Sequence, residues 1–311
     1  MSKRVIVLIV VLLIFGFIFY KIFNELYQIN FDVVKIKFSI LPSIFLIAGA
    51  FYLNALMYVY ILKGLGSHPD SVKNVIVINF LIQPVKYLPL GSVVNALTQG
   101  AVFGKLKGVN KVSAFFSPFL GLYVTILSGS TLFWILDFGI HKFGPMIHYL
   151  IGLGNLIGIF LISPKFIGYL FLIAKRVSKN KYTIDKIESN VFYKNIIIAF
   201  FISFIFWIIM GFGTHLAIQS IVIIKNFSSI EFIANYSFSS VIGYMLVIFP
   251  SGIGIREGAL VYLFQNLPTP FPHLIALIAR ISWITAELIN LASALIIGKS
   301  LLKGIKNELK K

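Results

Sequence analysis

The chain has 311 residues, 59% of them hydrophobic and 12% charged, with a mean hydropathy of +0.95 and a formal net charge of +17. That balance excludes a soluble globular domain, and the long apolar runs exclude reading the positive charge as a nucleic-acid footprint. The sequence contains no cysteine, which excludes disulfide frameworks, Cys-ligated zinc, iron–sulfur clusters and a thiol nucleophile. What remains is an all-α polytopic transmembrane bundle, expected as a single integral membrane domain over 1–311.

The first apolar run, Val5 to Phe23, follows Lys3 and Arg4 and has no A-x-A-like cleavage site, so it is expected to be a retained helix rather than a signal peptide. Further spanning-length runs are Leu41 to Ile61, Val112 to Leu136, Met146 to Ser163, Ile196 to Ile218 and Leu274 to Ile297. Two other apolar stretches, Val75 to Gly104 and Ile230 to Leu267, carry proline and glycine in their middles. The first is expected to break at Lys86-Tyr87-Leu88-Pro89-Leu90-Gly91 and the second at Pro250-Ser251-Gly252-Ile253-Gly254. Proline removes a backbone donor and glycine releases the helix, so each stretch reads as two short helices forming a broken or re-entrant hairpin, tolerated only where protein or water covers the backbone. Gly91, Gly252 and Gly254 are accordingly assigned backbone roles.

Basic residues concentrate on the cytoplasmic side of membrane proteins. Placing the N-terminus, 63–74, 104–111, 164–195 and 299–311 on that side gathers 19 basic and 4 acidic residues there, against 5 basic and 4 acidic residues in 21–39, 137–144 and 219–231. Both termini are therefore expected in the cytoplasm of a cell-membrane protein. The basic stretch from Lys165 to Lys194 is expected to meet anionic lipid headgroups and to include an interfacial helix at Phe166 to Ala174.

An offset of 161 residues lays Pro89 on Pro250 and Gly91 on Gly252, the 41–61 helix on the one starting at Ile196, and 112–136 on 274–297. This suggests two repeat units, about 40–136 and 196–298, running in opposite directions through the membrane. Interrupted helices at matching places in inverted repeats point to an alternating-access transporter with a site near the midplane.

Charges within apolar segments cost several kcal/mol unless they line a cavity or find partners. Five occur here: Lys86, Arg256, Glu257, Arg280 and Glu287. Arg280 and Glu287 share one helical face about 10 Å apart, too far to pair directly, with Trp283 and Asn290 on the same side. Arg256 and Glu257 follow the second break at a helix start, where unsatisfied N–H groups and the helix dipole could cradle a phosphate, with Glu257 capping those donors or meeting an arginine elsewhere. Lys86 precedes the first break, and Asn95 and Gln99, at i and i+4, form a polar face beyond it. These seven residues are the candidate substrate contacts. Arg256, Glu257, Arg280 and Glu287 are expected to converge on one cavity beside Pro250, with the Pro89 break facing it. The histidines, His68, His141, His148, His215 and His273, have no metal-ligand spacing, and no nucleophile elbow, Walker A or dinucleotide fingerprint is present; no metal, cofactor or catalytic constellation is expected.

The blocks Lys86-Tyr87-Leu88-Pro89-Leu90-Gly91 and Pro250-Ser251-Gly252-Ile253-Gly254-Ile255-Arg256-Glu257 resemble the K-Y-x-P-G and P-G-G-x-G-x-x-E blocks of the lysylphosphatidylglycerol synthase transmembrane regions, also described as flippase-like membrane proteins. Arg280 resembles the arginine on that family's following helix. Leu90 interrupts the first P-G, and Ser251 stands where the second block has glycine. Bifunctional members pair a soluble aminoacyltransferase with a translocating membrane region; these 311 residues hold no counterpart of the former. The resemblance thus implies translocation of a lipid or lipid-linked intermediate, not its synthesis. With the intramembrane charges, the expected function is flipping of a lipid with a charged or phosphate-bearing headgroup. The alternatives are a non-transporting partner subunit in envelope lipid or glycan assembly, and a membrane-embedded lipid-phosphate transferase or hydrolase using Glu257 or Glu287 as base.

Overall fold

The computed structural model describes residues 37–88, 90–137, 144–169, 188–224, 227–246 and 249–298. The expected first helix Val5 to Phe23, Pro89, His141, the C-terminal segment and most of the basic stretch lie outside the described residues. Residues 164–169 are helical, which covers the start of the expected interfacial helix.

Among the described residues the elements are helices and turns. The main ones are α1 (Ile40–Gly64), α2 (Val72–Ile82), α3 (Gly91–Phe103), α4 (Lys111–Asp137), α5 (Pro145–Leu161), α6 (Ser189–Ile221), α7 (Ser229–Met245), α8 (Ile255–Leu263) and α9 (Phe271–Ile297). Four of them, α1, α4, α6 and α9, are long and apolar enough to cross a membrane, with mean hydropathies of 1.9, 1.8, 2.6 and 1.6. Only about half of each apolar window is buried inside the bundle, and large side chains such as Phe45, Phe201 and Ile296 point outward. A water-facing helix would place polar residues there; apolar residues on both faces are what a lipid surround demands. Helix α5 is apolar but has 17 residues, about 26 Å at 1.5 Å per residue, slightly short of the ~30 Å hydrocarbon core.

Both interrupted stretches are broken where proline and glycine fall. Helix α2 ends at Ile82, and a 3₁₀ turn covers Gln83–Tyr87 before α3 begins at Gly91. The break thus opens at Gln83, earlier than the Lys86 expected from sequence; Gln83 itself keeps helical φ −48°, ψ −39°, and it is Pro84, with no N–H to donate back to the preceding turn, that ends the α-helical bonding. In the second stretch α7 ends at Met245, a short 3₁₀ turn occupies Pro250–Gly252, and α8 starts at Ile255. Ser71 and Ser228 start α2 and α7 by accepting hydrogen bonds from Asn74 N and Glu231 N, at 3.3 and 3.4 Å.

Leu90 has φ 57°, ψ 26° and Ser251 φ 52°, ψ 26°. These two are the residues that depart from glycine in the two blocks, and each occupies the left-handed region that an L side chain enters at a cost of roughly 1–2 kcal/mol.

Small residues set the closest packing. Gly213 on α6 lies over Ile47 and the Ser43 carbonyl of α1, and Gly129 on α4 lies under the Trp207 indole, letting the long helices approach through dispersion contacts rather than through a water-driven core. Trp207 Nε1 donates to the Thr125 carbonyl at 2.9 Å. Pro118, inside α4, removes the donor that would have met the Ala114 carbonyl; Ser117 Oγ donates to that carbonyl instead, at 3.1 Å.

Candidate functional site

The two breaks touch one another, and α9 runs past both. Each break contains a close backbone approach. A Cβ on Gly91 would collide with the Lys86 carbonyl, and one on Gly252, at φ 65°, would meet the Gly243 backbone of α7 at 2.9 Å. Gly254, at φ 85°, caps α8; its N–H donates to Glu257 Oε2 at 2.6 Å.

Five charged side chains converge around this junction. Lys86 Nζ donates to and ion-pairs with Glu287 Oε1. The same carboxylate accepts from Tyr87 OH at 2.7 Å and from Trp283 Nε1 at 2.5 Å. Arg280 Nε lies 3.5 Å from Glu257 Oε1, so Glu257 both caps its own helix and meets an arginine. Arg280 and Glu287 do not pair with each other; each reaches a different break. Arg256 stacks its guanidinium over the Trp283 ring, 4.0 Å from the centroid, and donates to Tyr236 OH at 3.3 Å. Arg256, Glu257 and Glu287 are 6%, 7% and 6% exposed.

The charge count of this cluster decides its chemistry. Lys86, Arg256 and Arg280 face Glu257 and Glu287, so one positive charge is in excess. Both carboxylates are already engaged by donors. The terminal nitrogens of Arg280, Nη1 and Nη2, are buried and have no hydrogen-bond partner among the described residues, where each unmade bond costs roughly 1–3 kcal/mol. That guanidinium lies over the Tyr87 ring, 5.5 Å from its centroid.

Beside the cluster lies a cavity open on one side, whose non-atom space, open solvent included, is about 750 Å³. Its lining includes Lys86, Asn95 and Gln99, three of the candidate substrate contacts, and Ser251 from the second break. The four charges expected to line one cavity do come together, but none of Arg256, Glu257, Arg280 and Glu287 lines this one. Glu257 and Glu287 are engaged by donors, Arg256 by the aromatics and Arg280 Nε by Glu257, and of the five charges Lys86 alone belongs to both cluster and cavity. Asn290, expected on the polar face of α9, donates to the Ala48 carbonyl at 3.1 Å and ties α9 to α1.

Sequence reasoning passed over Asn54, Asn79 and Gln83, three further carboxamides of the cavity lining. A scan of apolar runs for neutral amides as well as charges would have found them. Among the described residues no group of three or more His, Asp or Glu side chains is placed to hold a metal. The chain matches no family model and no curated protein.

Proposed function

We propose that the chain translocates a lipid or lipid-linked intermediate with a charged or phosphate-bearing headgroup between membrane leaflets. The observation that carries this reading is the cation excess of the buried cluster, together with the two unpartnered terminal nitrogens of Arg280. A planar guanidinium with free donors suits a phosphate oxygen pair, which would also balance the surplus charge. In an apolar surround, carrying such a surplus without use is costly.

In this reading the two broken stretches are matched, inverted halves of a transporter and the headgroup path runs between them. The shared left-handed backbone at Leu90 and Ser251, themselves 161 residues apart, supports that pairing. So does the order of elements: α2, turn and α3 before α4 correspond to α7, turn and α8 before α9. The resemblance of the two blocks to the flippase-like transmembrane regions points the same way. We read the site as one that binds rather than catalyses, because Glu257 and Glu287 are both occupied as hydrogen-bond acceptors and neither is free to act as a base. Both termini and the stretch 164–195 face the cytoplasm in this proposal. An introduced cysteine at Lys179 then stays unlabelled by an impermeant thiol reagent in intact cells, and labelling there would overturn the orientation.

The test of function is reconstitution in liposomes with tail-labelled phospholipids and polyprenyl phosphates, following loss of the label to an impermeant quencher. Acceleration of leaflet exchange for a phosphate-bearing probe is expected. No acceleration with any probe, with or without an ion gradient, would end the translocase reading.

A further inference from the structure

The cavity beside the cluster has an unusual wall. Five carboxamides line it, Asn54, Asn79, Gln83, Asn95 and Gln99, drawn from three separate helices and the first break. Gln99 is 2% exposed, and Gln83 Oε1, Asn95 Oδ1 and Gln99 Nε2 have no hydrogen-bond partner among the described residues. Amides at such a density inside an apolar bundle are expensive unless something satisfies them. Tyr58 and Tyr244 add apolar ring surface to the same wall.

The unmet atoms include two acceptors, Gln83 Oε1 and Asn95 Oδ1, and a donor, Gln99 Nε2, and every carboxamide of the wall carries one group of each kind. An ionised phosphate only accepts and leaves the amide oxygens unmet. An ammonium only donates, and here it would stand beside Lys86, which also lines the cavity. A hydroxyl does both. We infer that the cavity takes an uncharged, hydroxyl-rich part of a lipid headgroup, a sugar or cyclic polyol, while the neighbouring cation cluster takes the phosphate that links it to the lipid. Lys86, shared by the two places, marks where the two parts of the headgroup join. This rests on the translocase reading and narrows it to glycosyl- or polyol-phosphate lipids.

The test uses the full chain with two lipids of equal charge, phosphatidylinositol and phosphatidylmethanol, which share the phosphodiester and differ in the ring of hydroxyls. Retention by the purified protein is compared by native mass spectrometry, and leaflet exchange by the liposome assay. Phosphatidylinositol is expected to be retained about tenfold better, the scale of one or two neutral hydrogen bonds. Asn95→Leu and Gln99→Leu are expected to bring the ratio of phosphatidylinositol to phosphatidylmethanol retention close to one, with thermal unfolding in detergent as the folding control. Equal retention of the two lipids by the unaltered protein would overturn the inference, even if both move and the translocase reading stands. Preferential retention of phosphatidylinositol with no movement of either lipid would support the cavity's specificity and defeat the translocase reading. Retention of neither would defeat both.

Discussion

The two breaks do the same geometric job by different means. In the second, Pro250, Ser251 and Gly252 are all buried, Gly252 lies on the α7 backbone, and Glu257 caps the following helix from within its own chain segment. The first has no buried residue in its turn, and Leu88 and Leu90 are each 53% exposed. What fastens it to the bundle's polar centre is one remote carboxylate, Glu287 on α9, which takes both Lys86 and Tyr87. One break is held by its own backbone, the other by a borrowed charge. Substitutions should therefore affect them unequally.

The largest effect is expected from Glu287→Gln. It strands Lys86 and weakens the hydrogen bonds from Tyr87 and Trp283; loss of one partner from a buried pair costs about 3–5 kcal/mol. Thermal unfolding in detergent checks this, and the double variant Lys86→Met, Glu287→Leu should regain most of the loss, since it removes both buried charges together. If the double variant is no more stable than the single one, the charge is not what fastens the first break.

Next come the glycines. Gly91→Ala and Gly252→Ala both drive a methyl into backbone rather than into a yielding side chain, and each is expected to cost about 2–3 kcal/mol or to abolish insertion. Gly154→Ala, where an added Cβ meets nothing within 4 Å, is the neutral comparison in the same assay.

Glu257→Gln should be milder than Glu287→Gln. The amide oxygen can still accept from Gly254 N, so the α8 cap survives, and only the 3.5 Å contact with Arg280 loses its charge. A loss of about 1–2 kcal/mol is expected, against a larger one for Glu257→Ala, which removes the cap as well. Equal losses for the two would show that the cap contributes nothing.

The smallest and opposite effect is expected at the left-handed residues. Leu90→Gly relieves a strained backbone at an exposed site, and Ser251→Gly does so at a buried one. Each should stabilise by up to about 1 kcal/mol, partly offset by the freer unfolded chain. A destabilised Leu90→Gly would mean that the side chain contributes more than its backbone costs.

How much of this could be read from the residues alone follows from what each feature costs. The breaks were legible because Pro250, Gly252, Gly254 and Gly91 announce themselves chemically. The long helices were legible from apolar run length, and Ile40–Gly64, Lys111–Asp137 and Phe271–Ile297 end within a few residues of expectation. That Arg256, Glu257, Arg280 and Glu287 would gather was legible from energy, since a charge facing lipid is too costly; that Lys86 would join them was not. Which cation meets which carboxylate was not, because it depends on how α9 crosses the two turns. The left-handed residues were hidden for a plain reason: glycine is the signal for that conformation, and Leu90 and Ser251 are not glycine. The carboxamide wall was hidden because Asn54, Asn79 and Gln83 are neutral and sit singly on α1, α2 and the first turn; their meeting in one cavity is a tertiary fact.

The central claim is that the surplus cation serves a headgroup, and Arg280→Gln tests it most directly. The substitution removes charge and the unpartnered nitrogens while keeping an amide donor near Glu257. In proteoliposomes matched for inserted protein, the account predicts a fall of at least about tenfold in leaflet exchange of the phosphate-bearing probe that the unaltered protein moves fastest, the scale of one lost charge-assisted hydrogen bond, with thermal stability changed far less than by Glu287→Gln. An unchanged exchange rate in Arg280→Gln would contradict it and leave the cluster as a structural tie between the two breaks.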